Sequence, residues 1–156
     1  MKKILLLLLL VTMTGGVAHA FIDKYTINRE NLPEEALEML DEYFPKAKVS
    51  MIKVDRHLLK KTDYDVKLVN GTKIEFSNAG KWQSVDCKKR EVPAGLVPRT
   101  IRNYVGKNGN GAKIVSIKKK LSGYEIGLSD GVGMKFNLLG QFKSIITDSE
   151  DDDDDE

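Results

Sequence analysis

The chain has 156 residues, with 25 basic and 23 acidic side chains, two histidines and a single cysteine, Cys87. One cysteine excludes an internal disulfide, and with two histidines it also excludes the usual His-Cys zinc cluster. The charge is unevenly spread: residues 21–147 hold 23 basic against 15 acidic side chains, while the last nine residues hold eight acids.

Lys2-Lys3, the apolar run from Ile4 to Val11 and Ala18-His19-Ala20 have the n-region, h-region and cleavage site of a secretory signal peptide over residues 1–20. The run is too short to span a bilayer alone, and no cysteine near the cleavage site could carry a lipid. The expectation is export, to the periplasm or beyond, with no membrane anchor in the mature chain. Residues 21–31 form a polar leader with weak strand character around Tyr25 to Ile27.

Pro33 then occupies a first helical position, with Glu34 and Glu35 in the turn where the helix dipole favours anions. Ala36, Leu37, Leu40 and Phe44 recur at helical spacing, and Pro45 stops the run. Four strands are expected next. Residues 48–55 are β-rich but break alternation at Met51-Ile52, which predicts a bulge or a strand covered on both faces. Residues 63–68 alternate, Asn70-Gly71 reads as a type I′ hairpin turn, and 72–76 alternate back. Asn78-Ala79-Gly80 turns into residues 81–86.

Residues 88–96 read as a linker. A second helix is expected from Pro98 to about Val105, ended by Gly106, Gly109 and Gly111. Strands follow near 112–120, 124–129, 133–137 and 141–147, with Asp130-Gly131 in the matching hairpin turn. Residues 148–156 are an acidic tail, expected to be disordered.

The second set of elements repeats the first. Pro33 matches Pro98, Lys53 matches Lys118, Tyr64 matches Tyr124, Gly71 matches Gly131, Phe76 matches Phe136 and Gly80 matches Gly140. The offset is 65 residues up to Lys118 and 60 from Tyr124 onward. What recurs is turn glycines, aromatics and apolar positions, none of them a nucleophile, metal ligand or proton donor. The expected units are residues 32–87 and 97–147. Each is too small for comfortable independence, so they should share a sheet edge or a core.

The order Leu32-Pro33, helix, Pro45-Lys46-Ala47-Lys48, Tyr64-Asp65-Val66-Lys67-Leu68, Asn70-Gly71, Ile74-Glu75-Phe76, Gly80-Lys81-Trp82 resembles the PepSY-like, β-lactamase-inhibitor-like family of exported bacterial proteins. Val97-Pro98 through Gly140-Gln141-Phe142 looks like a second copy. The resemblance implies an α+β fold: a tandem repeat of one helix packed on a four-stranded antiparallel sheet, whose open face can meet a partner. In the second copy Asn108 to Gly111 replaces the aromatic-proline helix end, and Phe142 replaces the tryptophan.

Alternation puts Tyr64, Val66, Leu68, Ile74 and Phe76 on one sheet face. The opposite face carries Asp63, Asp65, Lys67, Lys73 and Glu75, and in the second copy Glu125, Gly127, Ser129, Gly133 and Lys135. These are the candidate partner-binding residues, because bare backbone beside charge can accept a peptide or loop. An ordinary solvated face is the competing reading. Trp82 is added as an aromatic anchor, although its place after the turn glycine favours core packing.

Other motifs carry less. Ser50-Met51-Ile52-Lys53 has the S-x-x-K form of penicillin-binding enzymes, but on a strand the pair faces opposite sides and no S-D-N or K-T-G accompanies it. His57 reads as a turn residue, and Cys87 as a half-buried strand-end cysteine, the competing reading being a reactive thiol whose basic neighbours lower its pKa. Lys88-Lys89-Arg90 and Lys118-Lys119-Lys120 lack interleaved aromatics, so no nucleic-acid partner is expected. The expected function is a non-enzymatic exported protein-binding module, an inhibitor or regulator of a hydrolase or peptidase, with no catalytic residue, cofactor or metal. The alternative is a calcium-responsive or structural envelope protein that uses its acidic tail for weak calcium binding.

Overall fold

The computed structural model describes residues 24–55 and 63–146. The expected signal segment, His57 and the acidic tail lie outside the described residues. Strands β1 (Lys24–Thr26), β2 (Val49–Asp55), β3 (Asp63–Leu68), β4 (Lys73–Phe76), β5 (Trp82–Asp86), β6 (Ile114–Lys120), β7 (Gly123–Leu128), β8 (Gly133–Asn137) and β9 (Phe142–Ile146) follow in order. Helix α1 (Glu34–Tyr43) precedes β2, and α2 (Arg99–Asn108) precedes β6.

All nine strands form one antiparallel sheet in chain order. This overturns the expected α+β tandem repeat of a helix on a four-stranded sheet: the described fold is mostly β, a single sheet bearing two α-helices. The physical reason lies between β5 and β6. Separate sheets would leave two more rows of backbone donors and acceptors as open edges. Instead Ser84, Val85 and Asp86 pair with Lys118, Ile117 and Ser116. Beyond the ladder, the Cys87 N–H donates to Val115 O (2.9 Å) and the Val92 N–H to Ile114 O (2.8 Å). The polar leader adds the ninth strand, with Tyr25 opposite Lys53.

Directly paired residues share a sheet face. One buried row therefore crosses the molecule as Ile52, Val66, Ile74, Val85, Ile117, Ile126 and Met134. Ala36, Met39 and Leu40 of α1 and Ile101 and Val105 of α2 join these side chains in one cluster, so both helices cover the same face. Phe136 and Phe142 hold α2 through Tyr104, whose ring stacks on Phe142 at 4.8 Å.

Two local expectations need correction. Gly71 has φ +88° but Asn70 is not in the left-handed region, so the β3–β4 turn is not type I′. The Gly71 N–H donates to Leu68 O and the Leu68 N–H to Thr72 O, a type I turn closed by a glycine bulge. An acceptor bond from Asn70 Oδ1 to the Thr72 N–H favours this form. The same pattern recurs at Gly80, Gly131 and Gly140. Helix α2 also runs three residues past Val105, because Gly106 faces open space and burial of Ile101 and Val105 outweighs its poor propensity. The bulge expected in β2 is present between Val49 and Met51.

Candidate functional site

The sheet face opposite the helices is uncovered among the described residues, and pairing orders it into two rows. The first passes through Tyr25, Lys53, Asp65, Glu75 and Ser84, then Lys118, Glu125, Lys135 and Ser144, one residue from each strand. The second passes through Met51, Lys67, Lys73 and Asp86, then Ser116, Gly127, Gly133 and Ile146.

Of the sequence candidates, Asp65, Glu75, Glu125 and Lys135 stand in the first row, and Lys67, Lys73, Gly127 and Gly133 in the second. Asp63 pairs with Asp55 at the end of the face. Ser129 lies past β7, where its Oγ accepts the Lys113 N–H at 3.0 Å and its own N–H donates to Lys113 O. Trp82 is not with them: it pairs with Phe76 on the helix side and packs half-buried against the core. Its ring lies under the Lys119 ammonium, 3.3 Å from the centroid. Partial desolvation pulls the Lys119 pKa below its ordinary value, Glu35 opposing and Lys81 assisting.

Sequence reasoning missed Lys53, Ser84, Asp86, Ser116 and Lys118 on this face. The register shifts at Val49/Met51, Glu75/Phe76 and Ile114/Ser116 set which of these residues stand opposite one another. The parity of Lys118 against Val115 and Ile117 was the available signal.

The face has two chemically distinct parts. Over β2 to β4, Met51, Asp65, Lys67, Lys73 and Glu75 surround a depression of about 210 Å³. Here the Asp65 pKa is raised, by desolvation first and then by Glu75, Asp55 and Asp63, with Lys53 opposing. Lys53 Nζ lies 2.7 Å from Asp55 Oδ2. Over β5 to β9 a groove of about 350 Å³ runs between Asp86, Lys118 and Glu125, its floor made by Ser84, Ser116, Gly127 and Gly133. The glycine trough is partly roofed, since a Cβ on Gly127 would meet the Ser116 hydroxyl and one on Gly133 would meet Ile146 Cβ at 2.9 Å. Asp86 is held below the ordinary carboxylate range by Lys88 and Lys73 against the cost of burial.

Such a face can form ion pairs and hydrogen bonds with a broad partner. Among the described residues no group of three or more His, Cys, Asp or Glu is placed to hold a metal ion. Cys87 is 2% exposed, and burial raises its pKa, in line with a buried strand-end thiol and against activation by its basic neighbours. Ser50 donates to Lys67 O and Lys53 pairs with Asp55, so neither partner of the S-x-x-K match serves the other. A separate hollow of about 500 Å³, lined by Tyr43, Phe44, Pro45 and Val69, is apolar and lies at the end of α1.

The family described as "Putative beta-lactamase-inhibitor-like, PepSY-like" matches residues 62–144. Three solved structures are similar over nearly their whole length. One, described as a "putative periplasmic protein of unknown function" from Bacteroides vulgatus, is 36% identical, with TM-score 0.77, covering 81% of this chain and 100% of its own. A "putative calcium-regulated periplasmic protein" from Bacteroides thetaiotaomicron is 32% identical, with TM-score 0.75 and coverages of 80% and 97%. A second "putative periplasmic protein" from B. vulgatus is 34% identical, with TM-score 0.75 and coverages of 82% and 99%. No curated protein matches. No helix among the described residues is long and apolar enough to cross a membrane. With export expected from the sequence and these relatives described as periplasmic, the chain is an exported member of the PepSY-like, beta-lactamase-inhibitor-like family.

Proposed function

We propose that this protein is a non-enzymatic binding module whose open sheet face docks a protein or peptide partner, and that the partner is a hydrolase or peptidase which it restrains. The observation that carries the reading is the first charged row, which crosses the nine described strands on the face opposite the helices, uncovered among the described residues. A row that mixes carboxylates, ammonium groups and serines gives register and specificity to a docked surface more than bulk affinity. The groove between Asp86, Lys118 and Glu125 leaves room for an extended segment beside the partly roofed glycines. The contributing residues are Asp63, Asp65, Lys67, Lys73, Glu75, Glu125, Gly127, Gly133 and Lys135; Trp82 and Ser129 are left out because of where they lie.

The test is capture of partners from an envelope extract with the wild-type protein and with Lys73→Glu/Lys135→Glu. A partner held by the wild type and lost with the double reversal supports the reading. Equal capture by both, or none by either, counts against it.

A second reading rests on the Bacteroides thetaiotaomicron relative described as calcium-regulated. In this chain the acids for such a response are those of residues 148–156. Calorimetry with calcium on the full chain and on a chain ending at Thr147 separates the readings, because only a heat lost with the tail favours calcium.

A further inference from the structure

We propose that the hairpin tips bearing Leu121 and Leu138-Leu139 form a peripheral docking site for an anionic lipid surface. Leu121 is 98% exposed, Leu138 64% and Leu139 73%. Lys120 pairs with Gly123 and Gly123 with Asn137, so the β6–β7 and β8–β9 turns project from the same end of the sheet. Two strand spacings separate them, about 10 Å.

The turn itself does not require these leucines. The β4–β5 turn has the same hydrogen bonds and the same positive-φ glycine, yet carries Asn78-Ala79 where the β8–β9 turn carries Leu138-Leu139. Large apolar side chains grouped at solvent-facing tips mark a contact surface.

The surrounding charge selects the occupant. Thr100 Oγ1 donates to Leu139 O at 3.3 Å, which brings the start of α2 to the same end. Residues 97–102, 118–123 and 137–143 contain no acid, and Arg99, Lys120 and Lys143 flank the leucines. Acids also approach these cations: Glu125 stands 3.9 Å from Lys120, and Glu35 interacts with Lys119. Leucines entering the acyl boundary with cations at headgroup level are the combination a negatively charged bilayer binds. Export places the protein where such surfaces are available.

The experiment is co-sedimentation of the purified full chain with phosphatidylcholine vesicles, with and without phosphatidylglycerol, at low and high salt. Expected is binding to the phosphatidylglycerol vesicles that weakens with salt and falls at least about tenfold in Leu121→Ser/Leu138→Ser/Leu139→Ser. Arg99→Glu/Lys143→Glu should lose the preference for phosphatidylglycerol. Because these side chains are exposed, unchanged circular dichroism and melting should accompany both variants. Absence of wild-type binding, equal binding to uncharged vesicles, or full binding by the serine variant would each overturn the proposal. So would a soluble protein found to occupy the leucines with no lipid present.

Discussion

The Lys119 ammonium stands 3.3 Å over the centroid of the Trp82 ring and so ties the end of β5 to the end of β6. Neither residue contacts its partner through sequence proximity, and both lie on the helix side of the seam where the two halves of the sheet meet. Lys119→Gln should destabilise by about 0.5–1 kcal/mol, the range of a partly exposed cation–π contact. Trp82→Leu, which keeps apolar contact, should cost more on its own. In a urea double-mutant cycle the two effects should not add.

Asp65 supplies a pH prediction. Its folded-state pKa lies above the ordinary 3.8, so the folded protein holds a proton there that the unfolded chain releases first. Stability contributed by this group is therefore present below 3.8 and lost as pH rises through the folded value. Asp65→Asn should raise the melting temperature at neutral pH, and the gain should disappear below pH 3.8. A gain that persists unchanged in acid would contradict the assignment.

Continuity of the sheet predicts one unfolding unit. Ile74→Ala lies in the first half and Ile126→Ala in the second, both buried in the same row. Each should cost about 2–5 kcal/mol, and each should lower a single shared transition seen by fluorescence, circular dichroism and calorimetry. Two separated transitions would show that the halves unfold independently.

Glycine positions distinguish backbone constraint from mere turn preference. Gly123 has φ +148°, and a Cβ there would collide with Phe136 O and lie 2.7 Å from Asn137 Cα. Gly123→Ala should be strongly destabilising, by about 3 kcal/mol or more. Gly131, at φ +91° with open space around it, should cost only about 1–2 kcal/mol as alanine.

On the open face, Lys73→Glu should leave stability within about 0.5 kcal/mol, since Lys73 is exposed and its charge interactions are solvent-screened. Chemical denaturation measures this directly. The result also decides whether loss of a partner in the capture experiment reports the contact surface or the fold.

Much of the candidate face was legible from alternation. Asp65, Lys67, Lys73 and Glu75 have the parity opposite to Val66, Leu68, Ile74 and Phe76, and they do face away from the helices. Trp82 and Ser129 were harder because each sits at a strand end, where a bulge or a turn decides orientation. The Gly71 turn shows the same limit: Asn-Gly suits a two-residue turn, but the Asn70 carboxamide bonding to Thr72 selects a three-residue loop.

By itself the sequence determined where the helices and strands lie, because hydrophobic spacing of 3.6 or 2 residues and the Pro and Gly stops act locally. It also determined that one face of each strand group would be apolar. The small size of each half pointed to a shared sheet edge or a shared core; only the tertiary structure decided for the edge, joining eight core strands and the leader in a single sheet, since pairing between β5 and β6 is a choice between backbone partners that side-chain pattern does not encode. The same non-local pairing decided which charges stand side by side on the open face, and brought Leu121, Leu138 and Leu139 to one end.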